Sequence, residues 1–203
     1  MAVTPSLPAA PIGVDVGEKT LIAATTPDAD PAGAFVVEGH DPRKVFDYLS
    51  TAVNTLRAAG FETTVGEAQL TAAFYYRLRA QVLDAAAQTV EWARTHPNPV
   101  LVLEDLSYSP RPLWEVRAST NHVGEWLLPD LQNALTVCAK EAGIPVRYVA
   151  PDGTSRECHR CGERGKRKEQ RFRCTNPECH VGSVDADRSA AITIASRGEE
   201  RVP

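Results

Sequence analysis

Four cysteines between positions 158 and 179 constrain this chain more than any other feature of its sequence. Cys158 and Cys161 form a C-x2-C pair, and twelve residues later Cys174 and Cys179 form a C-x4-C pair. Two short knuckles of this kind can present four thiolates to one tetrahedral Zn²⁺ without a large core. Two disulfides are the alternative, but they are rare in intracellular proteins. The spacing therefore predicts a zinc ribbon.

Three further residues near these ligands could be read in more than one way. His159 and His180 flank the cysteines and could replace them as ligands, but we interpret both as exposed polar neighbours. Cys138 lies in an amphipathic helical pattern, which favours a small buried hydrophobic role.

The predicted ribbon is basic, whereas the rest of the chain is acidic. The net charge is -4, yet residues 156–173 hold eight Lys or Arg against three Glu, and the remainder holds 14 against 23. A solvated loop is the simplest explanation, but a basic segment on a zinc ribbon favours contact with the phosphate backbone of DNA. The residues that we expect to make this contact are Arg164, Lys166, Arg167, Lys168, Arg171 and Arg173.

The remaining sequence predicts an α/β domain with a mixed sheet. Apolar runs of strand length are separated by turns rich in Gly and Pro, and longer segments repeat at helical spacing. The order is three strands, helices, strand, helix, strand, insertion and helix, which is typical of that class. The predicted strands are 12–17, 21–25, 34–37, 100–103 and 146–149, and the predicted helices are about 41–60, 67–94, 123–142 and 187–197.

Two absences in the sequence bear on location. No apolar run approaches the roughly 20 residues that a membrane-spanning helix needs. The first eleven residues contain neither the basic nor the apolar region of a secretory signal. We therefore expect an intracellular, cytoplasmic protein.

Three acids stand at the ends of predicted elements. Asp15 lies on the first strand between two glycines, Glu104 follows a buried strand, and Asp187 opens the last helix. If the first and fourth strands pair in parallel, Asp15 and Glu104 are neighbours. Crowded carboxylates repel one another unless cations neutralise them, and hard oxygen ligands suit Mg²⁺ or Mn²⁺. Each acid alone could be a strand-end or capping residue, but the trio predicts a two-metal site for phosphodiester hydrolysis.

Neighbouring acids leave a choice at two of these positions. Asp187 shares a helical face with small residues such as Ala190 and Ala191, which suits an approach to the sheet, and Asp185 falls off that face and could cap the helix. Glu104 and Asp105 point to opposite sides of their strand, and the pattern favours neither.

Four motifs in this order resemble the C-terminal part of the OrfB/TnpB-type transposase family, which is similar to the type V CRISPR effectors. The resemblance covers residues 12–197. The motifs are G-V-D-V-G at 13–17, L-E-D-L at 103–106, T-S-R-E-C-H-R-C-G at 154–162 with the second cysteine pair, and D-A-D-R-S-A-A at 185–191.

The resemblance implies a fold, an activity and a set of site residues. It implies a RuvC-like nuclease of the RNase H-like fold, over residues 12–152 and 184–198, interrupted by a zinc ribbon over 153–183. The residues before it, 1–11, are rich in Pro and Ala, and this composition predicts a flexible lead-in. The resemblance matches Asp15, Glu104 and Asp187 with the catalytic acids that hold Mg²⁺ or Mn²⁺, and so decides for Glu104 over Asp105. It also matches the four cysteines with the zinc ligands.

The chain departs from the family pattern in two places. Only eleven residues precede the first predicted nuclease strand, where the family has a large portion that holds guide RNA and target DNA. Guide RNA is therefore expected as a partner only with an N-terminal part supplied elsewhere. Ser189 also stands where the family usually has Asn.

Three functions follow from this reading. The first is a metal-dependent DNA endonuclease core of a mobile element, and the second is a catalytically inactive nucleic-acid-binding remnant or regulator. The third takes residues 13–17 as the phosphate loop of a sugar-kinase or actin-like ATPase. It is disfavoured because that class needs a second Asp-x-Gly loop and an adenosine pocket, and neither is recognisable in this sequence.

Overall fold

The computed structural model of the protein describes residues 9–60, 64–106 and 124–199. Its main sheet has five strands in the order β3-β2-β1-β4-β5. Pairing is antiparallel from β1 to β3 and parallel from β1 through β4 to β5. The strands are β1 Ala10–Val16, β2 Thr20–Thr25, β3 Phe35–Glu38, β4 Pro99–Glu104 and β5 Val146–Val149. The predicted mixed sheet is confirmed, and β1 begins two residues earlier than predicted.

Within the described residues, four α-helices accompany this sheet, at the positions that the sequence predicts. They are α1 His40–Ala58, α2 Thr64–Ala93, α3 Gly124–Glu141 and α4 Ala186–Glu199. One apolar core lies between the sheet and α1, α2 and α3, and it includes Ile12 and Val14 of β1 and Leu101 and Leu103 of β4. Because strand side chains alternate between faces, the residues between these lie on the opposite face of the sheet, where α4 packs.

Helix α4 approaches β1 closely at Gly13. A Cβ atom on Gly13 would lie 2.0 Å from the carbonyl oxygen of Ala191 and 2.3 Å from the backbone nitrogen of Ala195. At the other end of the helix, a Cβ on Gly198 would lie 2.5 Å from the side chain of Val102. The predicted small-residue face of the last helix is therefore the face that packs on the sheet.

The cysteine-containing segment forms a second, three-stranded sheet in the order β6-β7-β8. Its strands are β6 Lys166–Lys168, β7 Arg171–Arg173 and β8 Ser183–Asp185, all antiparallel. Phe172 fills its small core together with Cys158, Cys174 and Ala186. Since β8 runs directly into α4, the second sheet is joined to the helix that carries Asp187.

Candidate active site and zinc ribbon

Asp15 and Glu104 lie side by side on the face of the sheet that α4 covers. Gly13 of β1 pairs with Val102 of β4, and the same parallel register continued by two residues sets Asp15 beside Glu104. Asp15 shares the face of Gly13, and Glu104 shares the face of Val102, because both are two residues further along their strands. Asp105 is exposed and follows the strand. The strand geometry therefore places Glu104, and not Asp105, with Asp15.

Asp187 reaches the same face from the first turn of α4. Asp187 is 7% exposed, and the helix that carries it packs across β1. Asp185 caps this helix, since its Oδ1 atom accepts hydrogen bonds from the backbone N–H groups of Asp187 at 3.1 Å and Arg188 at 3.0 Å. The cap holds the first turn of α4 in place and leaves the side chain of Asp187 free for other contacts.

Asp15 lies close enough to the other two acids for their charges to interact with its own. Burial raises the pKa of Asp15 well above its usual value, and repulsion from Asp187 and then Glu104 raises it further. Burial also raises the pKa of Glu104, against the opposing effects of a hydrogen bond from Thr154 and the positive charges of Arg197 and Arg167. Crowding of this kind disfavours three negative charges at neutral pH, and a bound cation would remove the penalty.

A guanidinium group already neutralises one of these carboxylates. Arg167 Nη2 donates to Asp187 Oδ1 at 2.8 Å, in an ion pair whose side chains are 33% and 10% exposed. The three carboxylates do not form a compact ligand group: within the described ranges, the cluster of His, Cys, Asp or Glu ligand atoms that all lie within 4.8 Å of one another is the four cysteines. The acids thus converge on one face of the sheet while Asp187 turns toward Arg167.

A cleft opens beside Asp187 and Arg167. It has a volume of about 420 Å³ and is lined by residues of the β1–β2 turn, α1 and the β6–β7 turn, among them Lys19, Arg43 and Gln170. The backbone of Lys19 is fixed against the start of α1, because Gly39 donates a 2.7 Å hydrogen bond to its carbonyl oxygen. Asp187 is the one of the three acids that lines this cleft.

The four cysteines have the geometry of a tetrahedral metal site. The sulfur atoms of Cys158 and Cys179 are 3.8 Å apart, and those of Cys161 and Cys174 are 3.6 Å apart. Four sulfurs at the usual zinc–sulfur distance of about 2.3 Å would be separated by about 3.8 Å. A disulfide would need about 2.05 Å, so neither pair is bonded in this arrangement. The cluster can bind zinc, and the disulfide alternative does not fit it.

Strand alternation divides the six basic residues that the sequence singles out. Arg167 is opposite Phe172, on the side of the ribbon that faces α4, whereas Lys166 is paired with Arg173 and Lys168 with Arg171 on the other side. All six are exposed, and Arg164 precedes the hairpin. A groove of about 460 Å³ adjoins Lys166 and Arg173 and has no acidic residue among its lining side chains. The side chains of Lys166, Lys168, Arg171 and Arg173 therefore face outward, while Arg167 contacts Asp187.

Besides the Arg167–Asp187 ion pair and the chain connection, two further contacts join the ribbon to α4. His159 Nδ1 lies 2.8 Å from the hydroxyl of Ser189, which is almost fully buried. Arg197 donates to the Glu157 carboxylate at 2.6 Å and to the carbonyl oxygens of Ala150 and Asp152. His159 is thus a structural contact between the two parts rather than an exposed neighbour, and His180 lines the groove beside Lys166.

Sequence reasoning did not identify two of these roles. It grouped Arg167 with the other basic residues, although the alternation of Arg167 and Phe172 along β6 and β7 could have separated it. It quoted Thr154 as part of a motif without a role, and no pattern in one sequence links Thr154 to Glu104. The predicted roles of the three acids, the four cysteines and the basic residues stay predictions, and the structure adds their positions.

Comparison with known proteins places the chain in a family context. Residues 130–194 match the Cas12f1-like TNB domain. The chain is 43% identical over 61 residues to the CRISPR-associated endodeoxyribonuclease Cas12f2 of Micrarchaeota archaeon, a match that covers 27% of this chain and 11% of that protein. It is 33% identical over 82 residues to Cas12f1 of an uncultured archaeon, which covers 36% of this chain and 15% of that protein.

A solved structure extends the likeness over almost the whole fold. The protein in the cryo-EM structure of the Cas12f1–sgRNA–target DNA complex matches 92% of this chain with a TM-score of 0.70 and 20% identity. The chain spans 50% of that protein's length. The predicted RuvC-like fold is therefore confirmed, as is the predicted family resemblance of the C-terminal part. No helix in the described part of the chain combines the length and apolar character that a membrane crossing requires.

Proposed function

Because the chain corresponds to the C-terminal part of the TnpB/Cas12f-like family, we propose that it is a divalent-metal-dependent DNA endonuclease core of a mobile element. Asp15, Glu104 and Asp187 are its catalytic acids, and a zinc ribbon held by the four cysteines binds DNA. In this proposal the nuclease domain comprises residues 12–152 and 184–198, and the ribbon comprises 153–183. Guide RNA is a partner only together with an N-terminal part, and the protein acts in the cytoplasm.

One observation carries this proposal: Asp15 of β1 and Glu104 of β4 lie side by side on the face of the sheet where the last helix brings the buried Asp187. Three acids from β1, β4 and α4 interact only because the fold brings them to one face of the sheet. Buried like charges destabilise a protein unless protonation or a counter-charge neutralises them, and oxygen donors of this type suit Mg²⁺ or Mn²⁺. When bound, these cations would neutralise the acids, activate water and stabilise the leaving oxygen of a phosphodiester.

The protein's own groups would supply the remaining chemistry. The sheet fixes the backbone of β1 and β4, so Asp15 and Glu104 are on the same face before a substrate binds. Arg167 brings a guanidinium to Asp187 at 2.8 Å, where its donors can contact the non-bridging oxygens of a phosphodiester. In this proposal the DNA strand enters through the cleft beside Arg167 and Asp187.

The outer face of the ribbon supports nucleic acid as the partner. Lys166, Lys168, Arg171 and Arg173 share this face of the β6–β7 hairpin, and all are exposed. Cations arranged in this way bind the phosphates of DNA without sequence preference and release the counterions condensed on it. The relative's structure contains sgRNA and target DNA, which is consistent with such a partner.

The alternative function is a catalytically inactive nucleic-acid-binding remnant or regulator. The ion pair between Arg167 and Asp187 favours it, because the guanidinium already supplies the positive charge that a cation would bring to this carboxylate. The basic face of the ribbon would then be the functional surface.

A cleavage assay distinguishes the two functions. The purified chain is incubated with single-stranded DNA and Mg²⁺, alongside Asp187→Ala and the matched control Asp105→Ala, whose side chain lies outside the site. The endonuclease proposal predicts cleavage by the wild type and by Asp105→Ala, and none by Asp187→Ala. Cleavage that persists unchanged in Asp187→Ala would refute the proposed site. If no preparation turns over substrate but all bind DNA, the remnant function is correct.

A further inference from the structure

We propose that Thr154, the residue at which the chain enters the zinc ribbon, is the positioning residue for the Glu104 carboxylate. This inference rests on the proposed function, since it assigns Thr154 to a ligand of the proposed metal site. The hydroxyl of Thr154 donates to Oε1 of Glu104, and the residue is only 4% exposed. A buried hydroxyl aimed at a partly buried carboxylate constrains the orientation of that carboxylate.

The fold explains why this contact forms. Val149 at the end of β5 pairs with Glu104 at the end of β4. The chain that leaves β5 turns back within a few residues, and the backbone and hydroxyl of Thr154 both contact the carbonyl oxygen of Pro151, the hydroxyl at 3.0 Å. The turn thus returns Thr154 to the strand end from which the ribbon departs.

The turn is itself fixed to the helix that carries Asp187. Gly153 adopts a positive φ of 86°, and its carbonyl oxygen accepts hydrogen bonds from the backbone N–H groups of Arg156 and Glu157 at 2.8 Å. The Glu157 carboxylate in turn holds Arg197 of α4 at 2.6 Å. The position of Thr154 is therefore tied to the same helix as Asp187, so that the ribbon entrance aligns two of the three acids.

The two ends of Glu104 are held by different elements. Its backbone carbonyl accepts a 2.6 Å hydrogen bond from Gln132 of α3, which fixes the main chain. Its side chain is held by Thr154 through Oε1, and this leaves Oε2 for a cation. Partners that orient a ligating carboxylate typically alter metal affinity or activity by about 10- to 100-fold when removed.

The test compares the Mn²⁺ affinity of the full-length protein with that of its variants. Free Mn²⁺ is measured by electron paramagnetic resonance during a titration. Thr154→Val removes the hydroxyl at constant shape, and we expect the half-saturating Mn²⁺ concentration to rise about 10-fold or more. Thr154→Ser keeps the hydroxyl and should restore an affinity near that of the wild type. A Thr154→Val variant that binds Mn²⁺ as the wild type does overturns the inference.

A matched control separates this effect from the loss of any buried hydroxyl. Thr89 is also fully buried, but its hydroxyl donates to the Ala85 carbonyl of its own helix at 2.8 Å. Thr89→Val should leave Mn²⁺ binding unchanged. If Thr154→Val loses its bound zinc, or its circular dichroism spectrum shows that it is unfolded, the Mn²⁺ affinities of Thr154→Ala and Thr154→Ser are compared instead. These two variants differ only in the hydroxyl.

Failure of the inference is distinguishable from failure of the proposed function. If Asp187→Ala abolishes Mn²⁺ binding but Thr154→Val does not weaken it, the metal site stands and Thr154 is not its positioning residue. If the wild type binds Mn²⁺ no better than Asp187→Ala does, the proposed metal site and the role of Thr154 are both wrong.

Discussion

The two groups of predicted metal ligands are assembled in different ways. The four cysteines come from two short segments, and their ligand atoms already lie within 4.8 Å of one another. The three acids come from β1, β4 and α4, elements far apart in the sequence, and they form no such compact group within the described residues. One of them, Asp187, is paired with Arg167.

Charge explains this difference. Protonated thiols are neutral and pack as small apolar groups. Burial raises the pKa of Cys158 to about 12, while a backbone hydrogen bond from Glu163 lowers the pKa of Cys161 to about 7, so the cluster carries little negative charge at neutral pH. Carboxylates repel one another at neutral pH, so a buried trio needs a positive charge, and the guanidinium of Arg167 provides one at Asp187. Four thiols can therefore lie close together with little mutual repulsion, whereas three carboxylates can do so only if cations neutralise them.

The largest expected effect concerns the cysteine cluster. Cys158→Ser should abolish zinc binding and unfold the ribbon, because a small sheet with one buried phenylalanine cannot hold itself together without its metal. Zinc content by mass spectrometry under native conditions and protease digestion within 153–183 would measure this. The control is Cys138→Ala, the cysteine on α3, which should keep its zinc. Retention of a protease-resistant ribbon in Cys158→Ser would contradict a zinc-dependent fold.

The next largest effect concerns how α4 delivers Asp187. Gly13→Ala places a methyl group 2.0 Å from the carbonyl oxygen of Ala191, so the helix must move away from β1. We expect a loss of about 3 kcal/mol in the free energy of unfolding, since overpacking against backbone is costly. Gly33→Ala is the control, because a Cβ there meets nothing within 4 Å. Equal unfolding midpoints for the two variants in urea would show that α4 does not approach the sheet at Gly13.

A smaller effect tests the partner of Asp187. Arg167→Ala should strengthen Mn²⁺ binding about several-fold, because the guanidinium no longer competes for the carboxylate in a partly buried ion pair. It should also slow any DNA cleavage that the protein performs. Lys168→Ala, on the opposite face of β6, should change Mn²⁺ affinity little. If Arg167→Ala and Lys168→Ala change the Mn²⁺ affinity equally, Arg167 affects the site only through the net positive charge of the ribbon and not through its ion pair with Asp187.

The smallest effect concerns the charge of Asp15 itself. Its pKa in the folded protein is raised, so its contribution to stability is present below its unfolded pKa of about 4 and is lost as the pH rises through the folded value. At neutral pH without divalent cations, Asp15→Asn should therefore raise the melting temperature by about 2–4 °C. The difference should shrink as the pH falls toward about 4. The buffer contains no chelator, so that zinc is retained. If Asp15→Asn and the wild type have the same melting temperature at both pH values, the charge of Asp15 does not destabilise the folded protein.

The sequence predicted the elements of the fold and failed to predict contacts between distant side chains. The alternation around Asp15 and the small residues that follow Asp187 reflect the physical periods of strands and helices, and both predictions agree with the sheet and with α4. The pattern could not choose between Glu104 and Asp105, because the choice depends on which face of β4 the last helix covers. It could not connect Thr154 to Glu104 or His159 to Ser189, since these contacts depend on how a turn folds back in three dimensions.

The predicted helix beginning near 123 agrees with α3, and the predicted domain bounds stay predictions. Near the predicted end of the ribbon at 183, β8 pairs with β7 as far as Asp185 and runs directly into α4. Most of the predicted lead-in over 1–11 lies outside the described residues, and Ala10 and Pro11 already belong to β1. Apolar periodicity does not mark these junctions, because the strands there are short and half exposed.

A crystal structure of the protein with Mn²⁺ would test the convergence of the acids most directly. Anomalous scattering locates manganese independently of the model of the chain. The account predicts manganese bound by Asp15, Glu104 and Asp187 together, with Arg167 displaced from Asp187. Manganese found elsewhere, or absent while the pair between Arg167 and Asp187 stays intact, would contradict a metal-dependent active site on this face of the sheet.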